Sequence, residues 1–496
     1  HLVPVERTTL LRSGKDKNDG QIRESDSGNL RDSGSGTKDE VQLHASDSDK
    51  RGNSGRTGVS SSRRTVGGRD DTSGGDTGHE DGRAESVGRD NRAGERAEQK
   101  QSGEQTESVE TENQKNNARP KPEAIRRGRF YSTAKERKAY TEALSDEKER
   151  ISRNKTAMET YLRLTDNGKI TDMSSVVAKP KDLKALSEFS GWGGLATQLK
   201  KMRNLSDEWL QEHFSDEEIT KMINSTETAY FTPPSVVEFM WKSVEKMGLQ
   251  KNARILEPSM GIGNFIMQLP NAYKDSSHIT GIELDKITGE MAQILYGADG
   301  KTNIRVQGYE NNRSADNSFD LVIGNVPFSA TRFKTGEKRF DVYKPLLHDF
   351  FFLKAVKQTR PGGVIAFITT SGTMDKVDSR VRRAIASEAD LIGAYRLPNN
   401  TFAGTNVVAD VLFLQKRPDY RTDVSDIDWI KSVRATEYET SYAQNLYANQ
   451  YFLNHPDHVL GTLGTDFNPR FRQWKLTVKP NEGENISDVL SKAIRK

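Results

Sequence analysis

The chain has 496 residues, enough for two or three domains, but only 33% of it is hydrophobic and its mean hydropathy is −0.79, so a large part cannot contribute to a core. Cysteine is absent, which excludes disulfides, zinc ribbons and thiol nucleophiles together. Lys and Arg number 74 against 71 Asp and Glu; with a net charge of only +3, any nucleic-acid surface has to come from local clustering.

The chain opens on His1 rather than Met, from which a longer native chain is expected. No apolar run approaches the ~20 residues that cross a bilayer, and no apolar signal core leads the sequence, so a cytoplasmic protein with no membrane contact is expected. From His1 to Arg129 there is no Phe, Tyr, Trp or Met, and residues 1–129 read as a disordered polar tail that buries no core. Its Arg63-Arg64 and Arg126-Arg127-Gly-Arg129 clusters suit either phosphate contacts or plain solvation.

Residues 130–225 read as a helical lead-in. Tyr140, Leu144, Ile151, Met158, Tyr161 and Leu162 are spaced for one amphipathic helix over 134–164, and further helices are predicted over 181–189 and 205–224. Between them lies Phe189-Ser-Gly-Trp-Gly-Gly-Leu195, whose glycines allow close packing or ligand approach.

Residues 226–420 carry the α/β pattern. In Tyr230-Phe-Thr-Pro-Pro234 a loop enters a helix, with the prolines fixing the entry. The run Arg254-Ile-Leu-Glu-Pro-Ser-Met-Gly-Ile-Gly-Asn-Phe265 is a short strand, a glycine-rich turn and a helix start, an arrangement that lets backbone approach a ligand. The next strand ends at Glu283, about twenty residues on, where an acid commonly accepts from ribose hydroxyls. A third strand runs through Asn303-Ile-Arg-Val-Gln-Gly-Tyr-Glu310. A fourth, apolar and suited to burial on both faces, ends in Gly324-Asn325-Val326-Pro327-Phe328. Arg332, Lys334 and Arg339 interleave with Phe333 and Phe340 in the following loop, a composition suited to phosphate and base contacts or to a solvated surface. His348–Arg360 reads as a helix stopped by Pro361-Gly-Gly363, with His348 a helix-start contact. Strands follow over 364–369, 391–397 and 408–415. Residues 421–496 form an extension to which no chemistry is assigned.

The Asn325-Val326-Pro327-Phe328 tip resembles the Asn-Pro-Pro-Tyr/Phe motif of the N6-adenine DNA methyltransferases, with Val in place of the first Pro. Glu257-Pro258-Ser-Met-Gly261-Ile-Gly263 resembles the first motif of the same family. The helical lead-in with its Gly-Trp-Gly-Gly-Leu turn is similar to the methylase part of helicase-methylase proteins of conjugative elements and phages. The resemblance implies a doubly wound Rossmann-like α/β methyltransferase with strand order 3-2-1-4-5-7-6, S-adenosylmethionine as cofactor, DNA as partner, and a fused or associated helicase. It implies cofactor contacts from Thr232, Pro233, Glu257, Pro258, Gly261, Gly263, Glu283 and Tyr309. At the position where the family carries an acid for the cofactor adenine this chain has Gly308, so Glu310 or a backbone group has to supply the contact.

The implied chemistry is N6-adenine methylation. An exocyclic amine is a poor nucleophile while its lone pair is conjugated, and two acceptors, the Asn325 side chain and the Val326 carbonyl, would hold its N–H groups. Pro327 keeps Val326 extended, and Val326→Pro is expected to keep or raise activity. The flipped base is expected between Phe328 and Phe402, with Arg332, Lys334 and Arg339 on its strand. Methylation of cytosine N4, an RNA base or a protein amide, and a non-catalytic DNA-binding scaffold, are the rival readings.

Overall fold

A computed structural model describes residues 129–226, 231–297, 299–468 and 472–495. The expected polar tail, including Arg63, Arg64, Arg126 and Arg127, lies outside the described residues, as does Tyr230. Arg129, assigned to that tail by composition, is instead buried: its guanidinium donates to Thr302 Oγ1 and to the carbonyls of Lys274 and Ser277, and pairs with Asp299 at 2.5 Å.

Seven strands form the central sheet: β1 (Arg254–Glu257), β2 (His278–Glu283), β3 (Thr302–Val306), β4 (Phe319–Asn325), β5 (Thr359–Thr370), β6 (Ala389–Arg396) and β7 (Ala409–Lys416). Their order is β3-β2-β1-β4-β5-β7-β6, as expected; β7 alone runs antiparallel to its neighbours. Leu321, Val322 and Ile323 of β4 are all fully buried because successive side chains enter opposite cores. Leu321 and Ile323 pack with Ile255 and Ile368 on one face, Val322 with Leu256 and Phe367 on the other.

The helix Pro234–Lys246 covers the first face, burying Val236, Val237, Phe239, Met240 and Val244, and the Phe-rich helix Leu347–Gln358 covers the second. The lead-in shares the first core, with Tyr161, Leu186, Trp192, Leu210 and Ile219 in the same apolar cluster as the sheet.

Three element boundaries differ from the sequence reading. The single helix expected over 134–164 breaks into Ala134–Leu144 and Glu147–Leu164, because Asp146 caps the second with its carboxylate on the Lys148 and Glu149 amides. The helix expected over 205–224 is two, Glu208–His213 and Asp216–Ser225, the second opened by a Ser215/Glu218 capping box. The helix expected to run to Arg360 ends at Gln358, and Pro361-Gly-Gly363 lies within β5, next to an irregularity in its pairing with β4.

Beyond β7 the chain forms two small antiparallel pairs, β8 (Ser432–Arg434) with β9 (Tyr447–Asn449) and β10 (Thr462–Asn468) with β11 (Gln473–Lys479), then a terminal helix Ile486–Arg495 that packs on Pro234–Lys246. This extension is tied to the sheet by a buried ion network. Arg396 is bidentate to Asp410 at 2.8 Å and pairs with Asp375, whose carboxylate also accepts from the Asn449 amide. The Phe452 ring lies 4.2 Å from the same guanidinium. Leu460 N–H donates to the Arg396 carbonyl, and Asn399 N–H to that of Val478. Among the described residues no helix is long and apolar enough to cross a membrane.

Candidate active site

The turn after β1 and the end of β4 meet through one hydrogen bond, Ser259 Oγ donating to the Asn325 carbonyl at 2.7 Å. Around it Thr232, Glu257, Gly261 and Asn325 line one pocket together with Phe231, Ser259, Met260, Asn264 and Phe265. The pocket lies at the carboxyl ends of the parallel strands, where open α/β sheets bind ligands. The other expected residues of this end support it from behind. Pro233 precedes the first turn of Pro234–Lys246, Pro258 lies over Gly324, and Gly263 adopts φ +86°, where any Cβ would strike the Tyr296 ring. Phe231, Ser259 and Asn264 were missed from sequence. Ser259 stood within the Glu-Pro-Ser signature, whereas nothing local marked the other two.

Two acids face each other here. Glu257 is 2% exposed, its Oε2 has no hydrogen-bond partner among the described residues, and burial, with the Glu283 charge beside it, holds its carboxyl well above the usual range. Glu283 accepts from the Gly261 amide at 2.8 Å and the Asp285 amide at 2.9 Å, yet burial outweighs both and raises it to about 7. A carboxylate has roughly four lone-pair sites, so Glu283 keeps acceptor capacity for a diol. A buried carboxyl beside it with an unpartnered Oε2 calls for a donor or a cation. Leu284, the next residue, is 64% exposed and offers an apolar face for a flat ring; its position after a strand-ending acid was the signal available in the sequence.

Tyr309 departs from expectation. It is 3% exposed, its ring packs on Phe350 and Phe351, and its hydroxyl donates to Gln358 Oε1 at 2.9 Å, so its faces are occupied by the core beneath the sheet.

At the tip, Val326 is 1% exposed, packs in the apolar cluster under β4, and donates its N–H to the Ile368 carbonyl at 3.0 Å, extending the β4–β5 ladder by one bond. Phe328 and Phe402 are brought together, but edge to face, with centroids 6.4 Å apart and planes at 79°, and Phe402 is 2% exposed. Phe402 is thus a core residue against which Phe328 leans. In the basic loop Arg339 pairs with Asp316 and Glu337, Arg332 donates to the Lys344 carbonyl, and Lys334 is exposed. His348 sits in the first turn of Leu347–Gln358, and burial pushes it down to about 4, so it is neutral at physiological pH.

Residues 208–447 match the family model described as N-6 DNA Methylase. The match covers just under half of the chain. The chain is 27% identical over 206 residues to Defense against restriction protein B of Escherichia phage P1, covering 40% of this chain and 9% of that protein. It is 26% identical over 202 residues to the Type II methyltransferase M.CvrRI of Paramecium bursaria Chlorella virus XZ-6E, covering 40% and 51%. The chain thus spans about half or less of the length of these relatives. Among solved structures it is similar to a type I restriction-modification methyltransferase subunit from Streptococcus thermophilus, with a TM-score of 0.36 and 12% identity over 65% of this chain and 92% of that one.

S-adenosylmethionine is the cofactor that the N-6 DNA Methylase match implies, and the residues present fit it. The unpartnered buried Glu257 suits a cationic amino-acid end, Glu283 suits the ribose, and the Gly261–Gly263 turn leaves room for close approach.

Proposed function

We propose that the methylase transfers a methyl group from S-adenosylmethionine to N6 of adenine in DNA. The observation that carries this reading is the position of Asn325, which lines the same pocket as Glu257 and Gly261 while standing at the head of the Asn-Val-Pro-Phe tip. Bound cofactor supplies a methyl group activated by its sulfonium, so the protein's task is positioning and charge stabilisation. The Asn325 amide oxygen and the Val326 carbonyl would accept the two N–H groups of the target amine, freeing its lone pair and stabilising the positive charge that develops during attack. No general base is required before attack, consistent with a neutral, buried His348 set in its helix. A paired adenine cannot reach such a pocket, so the base is extruded, at a cost of a few kcal/mol, and stacks on the accessible side of Phe328. Lys334 and Arg332 would contact the strand. A fused or associated helicase completes this reading.

The test is incubation of the full chain with methyl-labelled cofactor and DNA, RNA or protein, followed by identification of the product nucleoside. N6-methyladenine in DNA supports the proposal. N4-methylcytosine, label in RNA or protein, or no transfer by folded protein that binds DNA, favours the corresponding rival.

A further inference from the structure

The Gly191-Trp-Gly-Gly194 turn belongs to the helical lead-in, yet its two outer glycines touch the two sides of the methylase site. Gly191 lies at φ +62°, and a Cβ there would fall 2.9 Å from Cε2 of Phe231, whose ring lines the cofactor pocket. Cζ of the same ring is 3.8 Å from where a Cβ on Gly261 would stand, so this ring reaches the glycine-rich turn that lines the pocket. Gly194 lies at φ +74° and meets backbone: its Cβ would fall 2.9 Å from the Ala403 carbonyl and 3.0 Å from Gly404 Cα. Gly404, also at φ +74°, meets the Gly194 carbonyl at the same 2.9 Å from its own side. That loop carries Phe402, the ring against which Phe328 of the tip leans.

The turn is held rigidly from behind. Asn154, fully buried, donates to the Gly191 carbonyl at 2.6 Å and accepts from the Ser190 amide at 2.8 Å. Arg150 donates to the Gly193 carbonyl at 2.6 Å, and the Gly194 amide donates to the Thr226 carbonyl. A turn that served only to reverse the chain would need its glycines for their backbone angles. Here two of them also supply close approach, one to a cofactor-side ring and the other to a target-side loop.

We propose that the Gly191–Gly194 turn is a positioning element of the methylase, setting the cofactor side of the site through Phe231 and the target side through the Phe402 loop, as two separable contacts. The lead-in is then part of the catalytic unit. This rests on the methylase reading above.

Gly191→Ala and Gly194→Ala share the same left-handed backbone strain and differ in what the new methyl meets. Gly248→Ala, at φ +82° with nothing within 4 Å, carries the strain alone and is the control. In the full chain, Gly191→Ala should weaken S-adenosylmethionine binding by about tenfold in calorimetry with little change in KM for DNA, because overpacking moves the ring into the pocket. Gly194→Ala should leave cofactor Kd near wild type and raise KM for DNA, or lower kcat, by about tenfold. Adding Phe231→Leu to Gly191→Ala should recover part of the cofactor affinity, which a merely structural role would not allow. If Gly194→Ala folds poorly, Gly404→Ala tests the same contact from the side of the Phe402 loop. Wild type that binds cofactor, with both variants behaving like Gly248→Ala or both disturbing the two readouts equally, overturns this proposal alone. Wild type that binds no cofactor removes the methylase reading and this proposal with it.

Discussion

The carboxylate of Glu310 occupies the space that a side chain on Gly308 would need. In the proposed site this carboxylate would stand in for the acid missing from the end of β3; one of its oxygens accepts from Asn311 Nδ2 at 3.0 Å. Glu310→Ala is expected to weaken S-adenosylmethionine binding by about 1.5–3 kcal/mol, the range for a hydrogen bond to a charged group. Gly308→Ala should do the same by displacing that carboxylate. Calorimetry returning wild-type affinity for Glu310→Ala would make Glu310 a space-filling residue.

In its proposed role on the ribose, Glu283 would make cofactor binding pH-dependent. The ribose needs its carboxylate form, and burial raises its ordinary value to about 7. Protonation therefore competes with the cofactor below that pH. Affinity should rise as pH rises through about 7, and weaken by up to about tenfold for each unit below it. Glu283→Gln should bind more weakly at pH 8 and show a flat profile. A wild-type profile flat from pH 5.5 to 8 would place the ribose elsewhere.

The tip separates catalysis from architecture. Asn325→Ala should lower kcat by about a hundredfold or more, as for loss of one group that stabilises transition-state charge, with little change in cofactor Kd. Full turnover would mean that the amine is activated by other groups. Val326→Pro was expected from the family motif to be neutral or helpful. The structure adds a stability cost to that change, because proline cannot donate to the Ile368 carbonyl. A loss of about 1–3 kcal/mol in stability is expected, since a buried acceptor is left unpaired, readable in chemical denaturation.

Phe402 should behave as core. Truncation to Ala is expected to cost about 3–5 kcal/mol of stability, as for other buried aromatics. It should depress methylation of paired and mismatched target adenines alike. Phe328→Ala, at a half-buried position, should be milder in melting and harsher in activity. Selective damage to paired DNA by Phe402→Ala would restore a direct role in holding the extruded base.

The sheet order followed from the family resemblance, whereas the strand-end position of each motif was legible because parallel strands buried on both faces read as apolar runs, and each run here stops at a turn signature: Glu257-Pro258, Glu283, Asn325. What was not legible depended on partners distant in sequence. Nothing near Tyr309 announces Phe350 and Phe351, and nothing in the charged run before Arg129 announces Asp299 and Thr302. The broken helices of the lead-in were legible in principle. Their apolar spacing continues across each break, but Asp146 and the Ser215/Glu218 pair carry the capping pattern that outranks it.

The bond from Leu460 N–H to the Arg396 carbonyl, and the parallel bridge between Arg396 and Val459, fall on the outer side of β6. That strand is the last of the sheet, with Ile392 49% exposed along it. An uncovered terminal strand offers unpaired amides and carbonyls to any second chain. The extension after β7 therefore acts as a selvedge. A chain cut after Arg417 would keep every residue of the proposed site yet expose a template for strand-to-strand aggregation, and its failure would appear as precipitation at concentrations the full chain tolerates.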